Sequence, residues 1–428
     1  MRIVYIAYGL LSPTKAHNLQ TVQTADALAE RGHEVTFVNP LLPADRRAGT
    51  ELHLPRCRAV LVPAGGLFEL HRTRTASGRF WSLFADRSLY ALRAVRHARA
   101  ARPDALVTRD LVVCYWLLAK RFLTRAPVAH ELHSLEQVMF DAEEVAASPD
   151  PELTRRMRSL AATDFAGHQD DRSLLGTLYK RFLHRIENAT LRRVPVVLPL
   201  TRVTARRLEH EHGVARSVAV PSGHSFDCPP PADKAALRRA LGLPVGPKLA
   251  VYSGLSLSGK GIESIFEVAR HLTSDCVLAV VGAGPDQRAG LAALRDERGL
   301  RSRILFLPRV EHRRVPDYLG AADLGLLLYP HTRSLAEFAS PLKLVEYLAC
   351  GLPVVATRLP GIEEIVQDGV NGRLVAPGDP REAAAVIDET LRSPSLLAAL
   401  AAGARSTSLE YTYERRAERL EDALCIST

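Results

Sequence analysis

The residues best suited to chemistry lie in the second half of this 428-residue chain. Gly254-Leu255-Ser256-Leu257-Ser258-Gly259-Lys260-Gly261 directly follows an apolar run, Leu249–Ser253. A glycine-rich turn after a strand brings backbone N–H groups close to an anion, and the Lys260 ammonium adds positive charge, so the segment suits a phosphate. It matches G-x-x-x-x-G-K, but Gly261 stands where a nucleotide-hydrolysing P-loop needs the Ser or Thr that ligates magnesium. No partner strand ends in a suitable Asp. Both departures weigh against an NTPase. The competing reading is an exposed turn with Lys260 in water.

Two further segments repeat the strand–turn–helix pattern. Val280-Val281-Gly282-Ala283-Gly284-Pro285 lets the backbone approach a ligand at Gly282. Gln287 occupies the position of a third dinucleotide-binding glycine, so a tight turn explains the segment equally well. In Ser340-Pro341-Leu342-Lys343-Leu344-Val345-Glu346, Ser340 is the expected N-cap and Pro341 the first helical residue, with Gly351 ending the helix. Lys343 in the first turn opposes the helix dipole, which makes sense if an anion sits at the helix N-terminus. Glu346 shares its face and can accept sugar hydroxyls. A plain Lys–Glu surface pair is the alternative. In the first half, Tyr8-Gly9-Leu10 follows the first strand, and His130-Glu131-Leu132-His133 ends another. His130, inside its strand, is expected to be packed, and His133, just past it, to face a ligand. There is no Asp-x-Asp, HExxH or Ser/His/Asp arrangement, so neither a required metal nor a hydrolytic triad is expected.

The elements that must position these residues alternate. Met1–Ala7, Glu34–Asn39, Ala105–Thr108, Val128–Leu132 and Val194–Leu200 read as strands, and Leu19–Arg31 as a helix stopped by Gly32. After Pro221 the rhythm restarts with strands at Leu249–Ser253, Cys276–Val281, Ile304–Leu307, Leu324–Leu328 and Pro353–Thr357, and a helix at Ile262–Leu272. Uniformly apolar strands alternating with helices predict an α/β protein of two doubly wound, Rossmann-like domains facing across a cleft. The expected divisions are one domain over residues 1–216, a second over 217–408, and a C-terminal helix over 409–428 that either caps the second domain or, the favoured reading, crosses back to the first. Residues 134–190 read as helical decoration of the first domain.

Net charge is +9. Counted along the sequence, the excess of Lys and Arg falls entirely within residues 1–216, which suits an anionic partner or reflects an Arg-preferring genome. Arg72, Arg74, Arg79, Arg87, Arg93, Arg96 and Arg99 alternate with Phe80, Trp81, Phe84 and Tyr90. That stretch is either an interfacial helix on anionic lipid or a helix with an aromatic core face and a solvated Arg face. The six cysteines are scattered and read as reduced thiols. No stretch is long and apolar enough to span a membrane, and the N-terminus lacks a signal-peptide pattern. A bacterial cytoplasmic enzyme is expected, with peripheral contact to the inner membrane face left open.

Taken together, the chain resembles the retaining GT-B glycosyltransferases of glycosyltransferase family 4 over nearly its whole length. Residues 251–263 (VYSGLSLSGKGIE), 304–330 (ILFLPRVEHRRVPDYLGAADLGLLLYP) and 340–378 (SPLKLVEYLACGLPVVATRLPGIEEIVQDGVNGRLVAPG) carry most of the likeness. YTYERRA at 411–417 resembles the start of the family's C-terminal helix, and residues 16–38 and PVAHELH at 127–133 resemble one bacterial subgroup. The resemblance implies a nucleoside-diphosphate sugar held mainly by the second domain. Lys260 and the Gly254 turn would meet the diphosphate, as would Lys343 and the backbone of Pro341 and Leu342. Glu346 would accept the ribose hydroxyls, and Arg309 and Val310 would face the base. Gly9 and Leu10 would lie near the diphosphate, and His133 near the transferred sugar. Ser253, Gly282 and Ser340 complete the donor-binding candidates, while His133, Lys260 and Lys343 are the candidates for the catalytic step.

Two departures stand out. Leu255 replaces an Arg common in the family, and Phe338 sits eight residues before Glu346 where the family has a first glutamate, with Glu337 one residue off register. The implied reaction is metal-independent transfer to the hydroxyl of a small-molecule or lipid-linked acceptor, in carbohydrate or natural-product biosynthesis. A same-face mechanism assisted by the leaving phosphate would operate, with no cofactor and no nucleic-acid partner. The alternatives are a P-loop-like nucleotide hydrolase and a basic protein binding nucleic acid or a membrane surface.

Overall fold

The computed structural model describes residues 1–9, 16–42, 54, 56–66, 76–119, 126–135, 150–161, 174–254 and 260–425. The chain forms two compact units. The first comprises Met1–Ala142, Gln169–Gly223 and Tyr413–Thr428, and the second Glu143–His168 and His224–Thr412.

The first unit holds β1 (Arg2–Ile6), β2 (Glu34–Leu41), β3 (Arg58–Pro63), β4 (Ala105–Thr108), β5 (Val128–Leu132) and β6 (Val196–Pro199). They form one sheet in the order β3-β2-β1-β4-β5-β6, every neighbouring pair parallel. The second unit holds β7 (Lys248–Ser253), β8 (Cys276–Ala283), β9 (Ile304–Pro308), β10 (Leu324–Leu327), β11 (Val354–Thr357) and β12 (Gly372–Val375). Their order, β12-β11-β10-β7-β8-β9, is the same doubly wound topology, again wholly parallel. In each sheet the strand order reverses beside the first strand, between β1 and β4 and between β7 and β10. Ligands of such sheets bind at the carboxyl ends of the strands flanking that point.

Helices in the first two-fifths of the chain are α1 (Ala16–Glu30), α2 (Ala76–Ala101), α3 (Leu111–Ala119), α4 (Pro151–Ala161) and α5 (Leu174–Leu191). After these come α6 (Arg202–His212), α7 (Lys234–Ala240), α8 (Ile262–His271), α9 (Pro285–Glu297), α10 (Val315–Ala321) and α11 (Arg333–Phe338). The last are α12 (Leu342–Ala349), α13 (Pro360–Glu363), α14 (Pro380–Arg392), α15 (Pro394–Ser408) and α16 (Tyr413–Cys425). They cover both sheet faces, which is why the strands read as unbroken apolar runs. Leu249 and Val251 of β7 enter one core and Ala250 and Tyr252 the other, because successive side chains point to opposite faces.

Several expectations change. β3 and β12, both edge strands, escaped the sequence reading. Most β3 residues are exposed or half-buried, and β12 is only four residues long and starts at a glycine. The segment 134–190 does not decorate the first unit alone. α4 belongs to the second unit, where Leu153 and Met157 join the core beside Phe266 and Leu291, whereas α5 lies with the first. The first two aromatic rings of α2 that are described pack inward, with Trp81 5.1 Å and Phe84 4.9 Å from Phe182 of α5. Arg93, Arg96 and Arg99 are exposed, so α2 has an aromatic core face and a solvated Arg face. Arg72 and Arg74 lie outside the described residues, as do the side chains of Arg79 and Phe80. Not all cysteines are reduced thiols: Cys228 and Cys350 form a disulfide, while Cys57, Cys114, Cys276 and Cys425 are free. Their separation of 122 residues left no local signal. Arg405 gathers the two cysteines, donating to the carbonyls of Cys228 at 3.0 Å and Cys350 at 3.3 Å.

α16 returns to the first unit as expected. Tyr413, Ala417, Leu420, Ala423 and Leu424 pack with Ile3, Tyr5, Ala25 and Leu28. Among the described residues no helix is long and apolar enough to cross a membrane.

Candidate active site

In the second unit the chain leaves β7 at Ser253 and β10 at Leu327, the two strands flanking the reversal point. Contacts there are so close that two positions, Gly261 and Gly282, admit only glycine. Gly254 N–H donates to the Val281 carbonyl at 3.0 Å. A Cβ on Gly254 would lie 2.6 Å from Lys343 Nζ and 3.2 Å from Tyr252 Oη. Gly282, at φ +122°, would put a Cβ 2.2 Å from the Gly254 carbonyl oxygen. Gly261, at φ +89°, would put one 2.1 Å from the Leu328 carbonyl oxygen. The Ser or Thr of a P-loop therefore has no room here, and the resemblance to that motif is superficial.

Lys260 and Lys343 converge on Tyr329. Lys260 Nζ lies 5.5 Å and Lys343 Nζ 5.9 Å from the centroid of that ring, and Lys343 Nζ sits 3.7 Å over the Tyr252 ring. Burial and then the neighbouring Lys260 charge hold the Lys343 ammonium well below its usual range, with Glu346 acting in the opposite sense. An anion beside both side chains would offset the Lys260 charge and favour the ammonium form of Lys343.

α12 supplies the rest. Pro341 is its N-cap, one residue later than expected, and Ser340 lies buried just before it. Helix first turns present unpaired N–H groups and a positive dipole end, so the residues after Pro341 add anion-binding capacity beside the lysines. Glu346, only 6% exposed, faces His312, whose Nε2 lies 2.7 Å from Glu346 Oε1. Tyr347 was not foreseen. Its hydroxyl accepts the Ser253 N–H at 2.7 Å, and its ring fills the space a side chain at Gly325 would need. A Tyr at helical spacing from the core positions reads as apolar filling, so nothing in the sequence marked it. Arg309 donates its N–H to the Ala283 carbonyl at 3.1 Å, tying the end of β9 to the Gly282 turn, and its side chain is exposed. Val310 and Leu342 are half-buried against the core. Glu337, the off-register glutamate, is held by Arg333 Nε at 2.9 Å, and Phe338 is buried. Leu255 lies outside the described residues.

The first unit carries Gly9 and His133 at the carboxyl edge of its own sheet; Leu10 lies outside the described residues. The Gly9 carbonyl accepts from Asn39 Nδ2 at 3.1 Å. His133 belongs to a buried charged network that the sequence did not disclose. Arg109 Nη2 lies 3.0 Å from His133 Nδ1, and Glu131 Oε1 lies 2.5 Å from His133 Nε2. Because a guanidinium only donates, Nδ1 must accept, and the proton belongs on Nε2, donated to Glu131. Burial and Arg109 push His133 down to about 3, so the ring is neutral. Burial would raise the Glu131 carboxyl, but Arg416, His133 and Arg109 outweigh it and keep it ionised. Arg416 of α16 reaches Glu131 at 2.7 Å and Thr24 Oγ1 at 2.9 Å, and Tyr5 Oη donates to Glu131 as well. His130 is packed as expected, 3.2 Å from the Thr108 carbonyl.

Among the described residues no group of three or more His, Cys, Asp or Glu could hold a metal ion. The family model for glycosyl transferases group 1 matches residues 233–407, and that for the glycosyl transferase 4-like domain matches 17–223. The D-inositol 3-phosphate glycosyltransferase of Xylanimonas cellulosilytica is 29% identical over 423 residues, 96% of this chain and 91% of that protein. The enzyme of the same name from Thermobispora bispora is 28% identical over 423 residues, covering 95% of this chain and 88% of its own. Among solved structures, a sucrose-phosphate synthase from Thermosynechococcus elongatus superposes with a TM-score of 0.70 at 19% identity, covering 98% of both chains. HepE of Anabaena in complex with UDP superposes at 0.67 and 18% identity, covering 100% of both. The paired doubly wound sheets are those of the GT-B fold. The chain thus belongs to the group 1 glycosyltransferases of the family 4 type, enzymes that transfer sugar from a nucleotide sugar.

Proposed function

We propose that the enzyme binds a nucleoside-diphosphate sugar at the β7–β10 edge of the second unit and transfers the sugar with retention, without a metal. The observation that carries this reading is the convergence of Lys260 and Lys343 on Tyr329, beside a turn closed by Gly254 and Gly282. The donor diphosphate lies between the two ammonium groups and the first turn of α12. Ser340, Pro341 and Leu342 shape that turn, Glu346 takes the ribose hydroxyls, and Arg309 and Val310 border the base.

In the transfer step an acceptor oxygen bonds to the anomeric carbon as the bond from that carbon to the phosphate oxygen breaks. The electron pair leaves with the nucleoside diphosphate, and the acceptor's hydroxyl proton passes to the departing phosphate oxygen. Attack from the leaving-group face retains configuration. Charge grows on the diphosphate in the transition state, where each charge-assisted hydrogen bond contributes roughly 1.5–3 kcal/mol. His133, with Nδ1 engaged by Arg109 and Nε2 by Glu131, is a fixed polar group rather than a proton carrier. The acceptor is a small polyol. The relatives' names, which specify inositol 3-phosphate, support this class, with lipid-linked alcohols as competitors.

The test combines two measurements. Thermal stabilisation is followed with UDP, GDP, ADP and dTDP in the presence of a chelator. One of them should stabilise the wild type, and the shift should vanish in Lys260→Ala. Sugar-nucleotide turnover is then followed by mass spectrometry with and without D-inositol 3-phosphate. Stabilisation by ATP with magnesium alone would refute the reading.

A further inference from the structure

We propose that His312 is a positioning residue for nucleotide recognition, orienting the Glu346 carboxylate that meets the ribose. This rests on the assignment of Glu346 to the ribose hydroxyls. Glu346 lies on α12, one turn beyond Lys343, and is nearly buried. A carboxylate on a helix retains freedom about its last two torsions. To accept both hydroxyls of a vicinal diol, its plane must be fixed before the nucleotide arrives.

The structure supplies one donor for that purpose. His312 Nε2 approaches Glu346 Oε1 at 2.7 Å. A carboxylate is an acceptor, so the proton sits on Nε2, and Nδ1 carries the lone pair in the neutral ring. The imidazole is held in turn. It faces Phe226 with ring centroids 4.8 Å apart and planes tilted by 34°, and Phe226 packs on the core of the same unit. The backbone is equally well placed, since His312 opens a short 3-10 turn, His312–Arg314, which Glu311 caps and joins to Arg309 and Val310. One turn thus links the segment assigned to the base with the carboxylate assigned to the ribose. Lys343, three residues before Glu346, also interacts electrostatically with that carboxylate. It is committed to the diphosphate and leaves His312 to set the carboxylate plane.

The experiment is a cycle between side chain and ligand. Affinity is measured by calorimetry for the nucleoside diphosphate that stabilises the wild type and for its 2′-deoxy and 3′-deoxy analogues. Hydrogen bonds to a charged acceptor predict a loss of roughly tenfold or more per missing hydroxyl in the wild type. His312→Phe keeps a ring against Phe226 but has no donor. In it the deoxy penalty should collapse to about threefold or less, while affinity for the intact nucleotide falls. His312→Gln restores a donor and should recover most of the penalty. His312→Asn, too short to span the distance, repeats the test should the phenylalanine variant not fold. A full deoxy penalty in His312→Phe overturns the proposal and leaves Glu346 as the ribose ligand. No penalty in the wild type overturns the ribose assignment and this proposal with it.

Discussion

Under the proposed donor binding, Lys343 changes its charge. Burial and Lys260 keep it well below the usual ammonium range. A diphosphate brings opposite charge and raises it again, so binding must take up a proton where the empty side chain is neutral and the bound one charged. Calorimetry at mildly alkaline pH in buffers of differing ionisation enthalpy should show that uptake. Lys343→Arg, always charged, should bind without it. Gly261 makes the opposite case, a residue defined by what cannot be added. Its φ of +89° and the Leu328 carbonyl leave no space for a methyl group. Gly261→Ala should cost roughly 2–3 kcal/mol in chemical denaturation and weaken nucleotide binding with it. At this scale the sequence disclosed the lysines and glycines, because charge and missing side chains are visible in the letters. It did not disclose Tyr347, His312 or Arg109, whose roles come from neighbours 94, 34 and 24 residues away.

Among the elements, α16 does the most for its length. It buries an apolar face against the first sheet and delivers Arg416, 1% exposed, to Glu131. Removing one partner of a buried ion pair strands the other. Arg416→Met and Glu131→Gln should each destabilise the protein by about 3–5 kcal/mol, and the double variant by clearly less than their sum. Urea unfolding of the four species measures the coupling, and strict additivity would refute the pairing. The likeness of residues 411–417 to a known helix start located α16, but the Arg416–Glu131 link needs the fold. Central strands were legible because burial on both faces leaves them uniformly apolar. β3 was not, since one exposed side dilutes that pattern, and neither was the partner of α4, because a charged helix with a few apolar residues fits either unit.

For the whole molecule, the two sheets share one topology, and the first carries a buried imidazole that governs its response to acid. His133 in the first unit is held at about 3, whereas an unfolded histidine titrates near 6.5. Between those values the unfolded chain binds a proton that the folded chain refuses. Stability is therefore present above pH ~6.5 and is lost as the pH falls toward ~3, by up to about 5 kcal/mol. In differential scanning calorimetry the transition of the first unit should move down over that range, and His133→Gln should flatten the dependence. The two-unit α/β architecture could be read from the strand rhythm alone. The return of the C-terminal helix to the first unit was expected as well, but the membership of Glu143–His168 was not, because that segment folds with the unit encoded after it.

That crossing pattern sets an order of completion during synthesis. Every strand of the first sheet is encoded before the second sheet begins, yet its core lacks Leu420 and Leu424 until the whole second sheet has been made. The later-encoded lobe can close as soon as Thr412 emerges. A chain cut between Thr412 and Tyr413 would keep every residue of the second lobe and leave the first without α16, its core open to proteases.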